Sequence, residues 1–266
     1  NEDEWARFWA GLLTEKGNDI EQRKEAHNRA TLLSRIAIAG AMGDASSAIK
    51  PLGTVVHRTA AYNAKYGTSY TGAQLRDETH FKDFLQFFVS EFKVYSNLMT
   101  KRSLMFHAAP LLTLADGDHA ILRHTPKSEQ RFMLFAPFWE QAKSMVMSEI
   151  FNDQYLKLDS QFEPVEYWQS NYDDSERPQV IYNGAYYDSV SGEQKAVGTQ
   201  TIDYLVGVLF DEDAIMTDTI LQRTMTSAPE ARKAFRNTWN TFAFNAISDQ
   251  TEKMTIFIMD DSGVTP

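Results

Sequence analysis

Cysteine is absent from the 266 residues of this chain. Its absence excludes a disulfide framework, a thiolate metal site and a cysteine nucleophile. Long hydrophobic runs are missing as well, because the longest apolar stretches fall far short of the roughly 20 residues that a membrane-spanning helix needs. The first residues, Asn1-Glu-Asp-Glu4, are acidic where a signal peptide would be basic. We therefore expect a soluble, unexported protein.

Basic residues are scarce relative to acidic ones. The chain has 26 Lys and Arg against 36 Asp and Glu, a formal net charge of -10, and its basic residues form no cluster. Tight binding to nucleic acid requires cations that neutralise phosphates, so this composition argues against nucleic-acid binding as the primary function. A mildly acidic surface is compatible with lining a container for DNA, since weak repulsion keeps the polymer mobile.

The local signatures of common enzyme classes are also absent. There is no phosphate-binding loop ending in Gly-Lys-Ser/Thr, no dinucleotide fingerprint, no Gly-x-Ser-x-Gly elbow and no His-Glu-x-x-His. The nearest approach to a metal site is Asp116, Asp118, His119 and His124, whose carboxylates and imidazoles could share a cation. A hydrophilic turn with two surface histidines is the favoured interpretation. We predict no catalytic, cofactor-binding or metal-binding residue.

Two carboxylates, Asp211 and Asp213, lie on one side of an extended segment, as Mg²⁺ ligands or paired acid/base carboxylates sometimes do. Acidic residues after a buried strand more commonly cap the next turn, which is the interpretation we favour. His57 is predicted to lie on the border of a helix as a surface or hydrogen-bonded histidine.

The tryptophans support an alternative function. Large aromatic side chains can line a sugar-binding groove, and the chain has surplus carboxylates, so a carbohydrate-active hydrolase with two carboxyl groups roughly 5–10 Å apart in a cleft is the second hypothesis. The five are Trp5, Trp9, Trp139, Trp168 and Trp239. We favour the interpretation that they fill the core and subunit contacts, above all Trp5 and Trp9, which have helical spacing.

The first third of the chain predicts helices. Residues 3–39 are helical by pattern, with a possible interruption at Gly17-Asn-Asp, and their first apolar residues are spaced i, i+3, i+4, i+7 and i+8. These residues are Trp5, Phe8, Trp9, Leu12 and Leu13. The residues Glu21, Arg23, Lys24, Glu25 and Arg29 predict a solvated face with ion pairs four residues apart. A further helix is predicted through Val55 and Val56, ending at Gly67.

The middle of the chain predicts mixed elements. Residues 83–91 begin as a strand and lead into a helix, 98–114 and 138–151 are predicted helices, and 131–135 a strand. The block 159–200 combines short strands, with Tyr182, Tyr186 and Tyr187 on a half-exposed sheet.

The last part predicts strands, which makes the chain α+β rather than a regular alternation of helix and strand. Leu205–Phe210 is an apolar run with only Gly207 interrupting it, which is typical of a strand buried on both faces, and 211–213 is predicted to be a solvated stop. Apolar residues alternate along 239–247 and again along 254–258, so we predict a hairpin that turns at 248–251.

Five segments follow one another along the chain: 83–91 (DFLQFFVSE), 162–170 (FEPVEYWQS), the strand and acidic turn 204–215 (YLVGVLFDEDAI), the aromatic run 237–244 (NTWNTFAF) and the final strand 253–260 (KMTIFIMD). In this order they resemble segments of the major capsid proteins of tailed bacteriophages, in particular short-tailed ones. The resemblance covers roughly residues 45–260.

This resemblance implies the Hong Kong 97-like capsid fold, with a long spine helix, a peripheral domain and an axial domain. It assigns 1–80 to the spine helix and peripheral-domain helices, 81–200 to the axial domain and 201–266 to strands returning to the peripheral domain. The family's N-terminal arm and E-loop are expected upstream of residue 1.

The function implied is structural rather than enzymatic. Copies of the chain would form pentamers and hexamers that tile an icosahedral virion shell around double-stranded DNA, without sequence-specific DNA binding. Assembly would take place in the host cytoplasm, with portal, scaffolding or decoration proteins as possible further partners.

Overall fold

In the computed structural model the described residues are 44% helical and 36% strand, in agreement with the predicted α+β class. The described residues are 2–43, 53–107, 111–114, 117–120, 122–146, 162–169, 178–187, 193–228, 237–249 and 251–261. The helices are α1 (Glu2–Gly43), α2 (Arg58–Tyr66), α3 (Gly72–Leu75), α4 (Glu78–Met99) and α5 (Ala136–Val146). Within these described ranges, no helix is both long and apolar enough to cross a membrane.

Eleven strands are present in the described ranges. They are β1 (Gly53–His57), β2 (Leu111–Leu114), β3 (Gly117–Ala120), β4 (Gln130–Phe135), β5 (Phe162–Val165), β6 (Gln179–Tyr187), β7 (Gln194–Asp203), β8 (Leu205–Asp211), β9 (Ile215–Thr226), β10 (Thr238–Ser248) and β11 (Met254–Ile258). The chain divides into two compact units. Unit 1 comprises Asn1–Leu32 and Ile215–Ser248, and unit 2 comprises Leu33–Ala214 and Asp249–Pro266.

Helix α1 confirms the predicted N-terminal helix and runs without a break through Gly17, where we expected a possible interruption. Ion pairs support its solvated middle, since Lys24 Nζ lies 2.9 Å from a Glu21 carboxylate oxygen and Arg29 Nη2 lies 2.9 Å from one of Glu25. Its last turns are different in character. They bury an apolar face in unit 2, formed by Leu33, Ile36, Ala37, Ile38 and Ala39.

The core of unit 2 is a five-stranded sheet in the order β1-β11-β8-β4-β5. β1 and β11 are parallel, as are β4 and β5, whereas β8 runs antiparallel to both of its neighbours. β8 is buried at every residue, which confirms the strand predicted at Leu205–Phe210. Gly207 is required there because a Cβ atom would come within 2.9 Å of the Met133 carbonyl oxygen. The sheet combines strands from all three of the segments 1–80, 81–200 and 201–266.

Helix α4 covers this sheet with an aromatic face. Asp77 caps it by accepting a 2.9 Å hydrogen bond from the Glu78 amide, and its buried face consists of Phe81, Phe84, Leu85, Phe87, Phe88 and Phe92. Phe92 lies against Phe132 of β4, with ring centroids 4.0 Å apart, and Phe257 of β11 contacts the same cluster. The strand-like start predicted at 83–91 is therefore wrong, whereas the helix into which it was expected to lead is confirmed, because these residues are helical throughout.

Two further predictions on secondary structure are wrong. Val55 and Val56 lie in strand β1, not in a helix, although the helix that follows does end at Gly67, whose φ of 66° gives it the left-handed conformation. The helix predicted over 98–114 is replaced by the end of α4, an irregular stretch and β2. The helix predicted at 138–151 is confirmed by α5 as far as Val146, and 147–151 lie outside the described residues.

The predicted hairpin between 239–247 and 254–258 does not form. β10 pairs in antiparallel fashion with β9, while β11 pairs with β1 and β8 in the other unit. Strand β9 was not predicted, because its residues (IMTDTILQRTMT) include few of the aliphatic side chains that mark β8. In the middle of the chain, β6 and β7 form a separate hairpin on which Tyr182 and Tyr186 are half-buried and Tyr187 exposed, as predicted.

Candidate assembly surfaces

The N-terminal part of α1 exposes an apolar stripe on one helix face. Its members are Trp5, Phe8, Trp9, Leu12 and Leu13, between 40% and 65% exposed. The rings of Trp5 and Phe8 are in edge contact at 6.0 Å, and Phe8 contacts Trp9 at 6.2 Å. The predicted spacing is thus observed, but the stripe faces outward. Contiguous exposed apolar patches of several hundred Å² mark interaction sites.

The β9–β10 hairpin has two different faces. On the inner face, Phe242 and Phe244 lie against α1: the Lys24 ammonium is 4.8 Å from the centroid of the Phe242 ring, and the His27 ring is 5.0 Å from that of Phe244. Because strand side chains alternate, the residues between them point to the opposite face, away from α1.

The outer face of the hairpin is exposed and largely apolar. Directly opposed pairs on it are Trp239 with Met225, Ala243 with Leu221 and Ile247 with Met216. Ile220 lies at the irregularity where the register shifts and is 64% exposed. The large apolar residues of this outer face are 43% to 64% exposed. Two polar pairs lie among them, Thr241 with Arg223 and Asn245 with Asp218. Neither this face nor β9 itself was foreseen from the sequence.

The solvated stop that we predicted at 211–213 is wrong for Asp211, which is the buried last residue of β8, and correct for the exposed Asp213. Asp211 is 7% exposed, and its carboxylate accepts hydrogen bonds from the Thr125 hydroxyl at 2.6 Å and from the Asp213 amide at 2.9 Å. Asp213 itself is exposed. Since Asp211 is engaged in closing the turn, the geometry fits the capping interpretation rather than a pair of catalytic carboxylates.

The histidines and aspartates of 116–124 form no metal site among the described residues. Asp116 lies outside them, Asp118 and His119 are in β3, and His124 is exposed. Over the described ranges, no group of three or more potential ligands is close enough to hold a metal ion.

The five tryptophans have different environments. Trp5, Trp9 and Trp239 are exposed, Trp139 is half-buried, and Trp168 is 1% exposed. The Trp168 indole N–H donates a 2.8 Å hydrogen bond to the Leu205 carbonyl, which ties it to β8 as a core residue.

A cleft of about 460 Å³ lies beside β1 in unit 2. Asp203 and Asp260 both contribute to its wall, and His57 Nδ1 lies 3.0 Å from Asp260 Oδ1. His57 ends strand β1 and is hydrogen-bonded, as we predicted, although not on a helix. The cleft thus has two carboxylates, as the carbohydrate-hydrolase alternative requires, but the residues described as lining it include no tryptophan, tyrosine or phenylalanine to form the expected aromatic groove.

A buried polar network in unit 2 was missed by the sequence reasoning. His107 Nδ1 is hydrogen-bonded to Glu252, whose other oxygen accepts from Arg123 at 2.7 Å. Thr125 Oγ1 lies 3.4 Å from His107 Nε2. Thr125, His107 and Glu252 thus form a series of hydroxyl, imidazole and carboxylate, which in enzymes activates a hydroxyl as a nucleophile. Thr125 is fully buried and donates its proton to Asp211, so a substrate has no access to it. The network joins distant segments, which no local motif could reveal.

Burial also lowers the pKa of a basic side chain next to this network. Arg35 is fully buried and donates a hydrogen bond to the Glu252 carbonyl. Desolvation lowers the pKa of Arg35 to about 10, against the opposing influence of the Asp249 and Glu252 carboxylates. At neutral pH the guanidinium is still charged, so it acts as a fixed counter-charge in the core of unit 2 rather than as a proton donor.

No protein-family model matches this chain, and no curated protein is significantly similar to it. Its function is therefore inferred from its residues and their geometry.

Proposed function

We propose that this chain is the subunit of a self-assembling shell, specifically a major capsid protein of the Hong Kong 97 type. One observation carries the proposal: unit 1 leaves two apolar surfaces uncovered, the stripe on α1 and the outer face of the β9–β10 hairpin. A chain with a net charge of -10 keeps such surfaces in water only at a cost in free energy, and copies of the same chain can cover them.

The division into two units is compatible with this proposal. Unit 1 combines most of the 42-residue helix α1 with a long two-stranded sheet, as expected for a spine helix in a peripheral domain. We assign unit 2, with its helix-covered sheet, to the axial domain. This assignment differs from the one implied by the resemblance, which placed all of 201–266 in the peripheral domain: β8 and β11 now belong to the axial domain, and β9 and β10 remain as the strands of the peripheral domain.

The mechanism is assembly rather than catalysis. Copies associate through heterologous contacts that close into pentamers and hexamers, and these tile an icosahedral shell in the virion. The shell encloses double-stranded DNA without reading its sequence, and the negative net charge keeps the packaged polymer from adhering to the wall. Portal, scaffolding or decoration proteins are the further partners of such a shell.

Negative-stain microscopy and sedimentation velocity of the purified chain test the proposal directly. Rings or closed particles are expected, together with species far heavier than the 30.3 kDa monomer. A monodisperse, folded monomer at high protein concentration would contradict it.

A further inference from the structure

We propose that the apolar stripe of α1 in one copy packs onto the outer face of the β9–β10 hairpin in the next copy. The stripe is Trp5, Phe8, Trp9, Leu12 and Leu13, and the outer face is Met216, Ile220, Leu221, Met225, Trp239 and Ile247. This inference rests on the self-assembly proposed above and specifies which surfaces meet.

The two surfaces match in size. At about 200 Å² for each large side chain, the exposed fractions correspond to about 500–600 Å² of apolar surface on each side. One contact would therefore bury about 1,100 Å² in total, just above the roughly 1,000 Å² that separates specific interfaces from incidental ones. Each copy has both surfaces and so takes part in two such contacts.

Charged side chains on the two surfaces set the orientation of the contact. At the start of α1, Asp3 and Glu4 are exposed. The outer face carries one exposed charge of each sign, Arg223 and Asp218. An orientation that places the acidic start of α1 beside Arg223 and away from Asp218 is therefore favoured. Stripe-to-stripe pairing of parallel helices is disfavoured, because it would bring like charges together.

The hairpin already accepts a helix on its inner face, where Lys24 and His27 of α1 contact Phe242 and Phe244. A second helix on the outer face would place the hairpin between two helical layers, so that both of its faces are covered. An isolated two-stranded sheet is only marginally stable in water, so each added layer stabilises it.

Because stripe and outer face are different surfaces, the contact is heterologous. Repeating it from copy to copy generates a ring when the rotation closes, in agreement with pentamers and hexamers. A symmetric contact of stripe with stripe would instead stop at a dimer.

Cysteine crosslinking tests the contact, and the absence of native cysteine makes each introduced thiol unique. Leu12→Cys and Leu221→Cys are co-expressed with different affinity tags, and assemblies containing both tags are treated with a short bis-maleimide. Held in contact, the two thiols react at an effective concentration in the millimolar range, so the heterodimer band should exceed that of the controls by about tenfold.

Matched controls use exposed positions on the opposite faces. Thr14→Cys, on the other side of α1, replaces Leu12→Cys in one pairing, and Thr217→Cys, on the inner face of the hairpin, replaces Leu221→Cys in the other. Thermal unfolding of each single variant, unchanged from that of the parent chain, shows that it folds.

The outcomes separate this inference from the proposed function. A strong Leu12→Cys with Leu221→Cys band and weak control bands support it. Particles that form normally but give only Leu12→Cys homodimers, or equal bands in all pairings, overturn the contact and leave the shell intact. Failure of the parent chain to assemble overturns the proposed function and this contact together.

A charge exchange gives an independent readout: Arg223→Glu should reduce assembly, and Asp3→Lys with Glu4→Lys in the same chain should restore it.

Discussion

Strands β8 and β9 follow one another along the chain, yet β8 is buried at every residue and β9 is exposed at all but its first. β8 lies between two other strands in unit 2 and beneath the aromatic face of α4. β9 belongs to unit 1 and has β10 as its partner strand. The difference fits the proposed division of tasks, in which unit 2 supplies most of the stability of the fold and unit 1 would supply the surface through which copies meet.

The largest expected effect on stability is a difference between two single substitutions, each of which removes one phenylalanine ring from one of the units. Phe257 is fully buried and contacts the rings of Phe88 and Phe92, so Phe257→Ala should lower the free energy of unfolding by about 3–5 kcal/mol. Phe244 is only half-buried, and Phe244→Ala should cost about 1 kcal/mol. Urea unfolding measures both, and equal losses would contradict the division between the units.

Next in size is the removal of a carboxylate from the buried network. Glu252→Ala leaves His107 without its partner in the core and should cost about 3 kcal/mol. Glu212→Ala is the matched control, because its pair with Arg131 is 39% exposed on both sides and should contribute less than about 1 kcal/mol. Thermal unfolding of the two variants should show the difference, whereas similar melting temperatures would mean that the network contributes little.

Alanine at two glycines should change stability in opposite directions. Gly207→Ala forces a Cβ against the Met133 carbonyl and should destabilise unit 2 by about 1–3 kcal/mol. Gly11 is in the exposed part of α1 with no atom within 4 Å of the added methyl group, so Gly11→Ala should stabilise the helix by up to about 1 kcal/mol. Chemical denaturation reports both signs. A destabilising Gly11→Ala would show that this face of α1 is covered within the monomer.

The smallest effect on stability should accompany the largest effect on assembly. Trp239 is 54% exposed, and within the monomer its main contact is the cross-strand pair with Met225, so Trp239→Ser should lower the free energy of unfolding by no more than about 1 kcal/mol. The same variant should greatly reduce the yield of particles, measured by sedimentation. Thr238→Ser, at the neighbouring exposed position on the inner face, should assemble normally, and equal yields from both variants would remove Trp239 from the interface.

The local sequence pattern predicted an element correctly where that pattern alone shows what surrounds the element. The continuous run Leu205–Phe210 has to be buried on both faces, and α1 shows a helical spacing that no strand would show. The hairpin between 239–247 and 254–258 was wrong because alternation reveals a strand but not its partner, and β10 and β11 belong to different units. The closely spaced aromatic residues of α4 are buried on one face of the helix. Because many of its apolar residues are adjacent in sequence, the segment has a pattern that is also typical of a strand.

The candidate surfaces were only half predictable for a related reason. The spacing of Trp5, Phe8 and Trp9 gave the stripe, but spacing does not tell whether a partner within the chain covers it. The outer face of the hairpin exists only because β9 pairs with β10, and β9 has the Thr, Asp, Gln and Arg content of a loop. The His107–Glu252 contact joins residues 145 positions apart, which only the fold brings together.

The order of strands in the central sheet has a consequence for protein synthesis. β11 lies between β1 and β8, and Gly53 pairs with Met254, 201 positions further along the chain. A nascent chain that has released β8 but not β11 from the ribosome exposes two strand edges and an apolar sheet face at once. Such species are prone to aggregate, and pairing over so long a separation is slow. Because β9 and β10 are synthesised before β11, unit 1, which we propose joins the copies, can form while the sheet of unit 2 still lacks a strand.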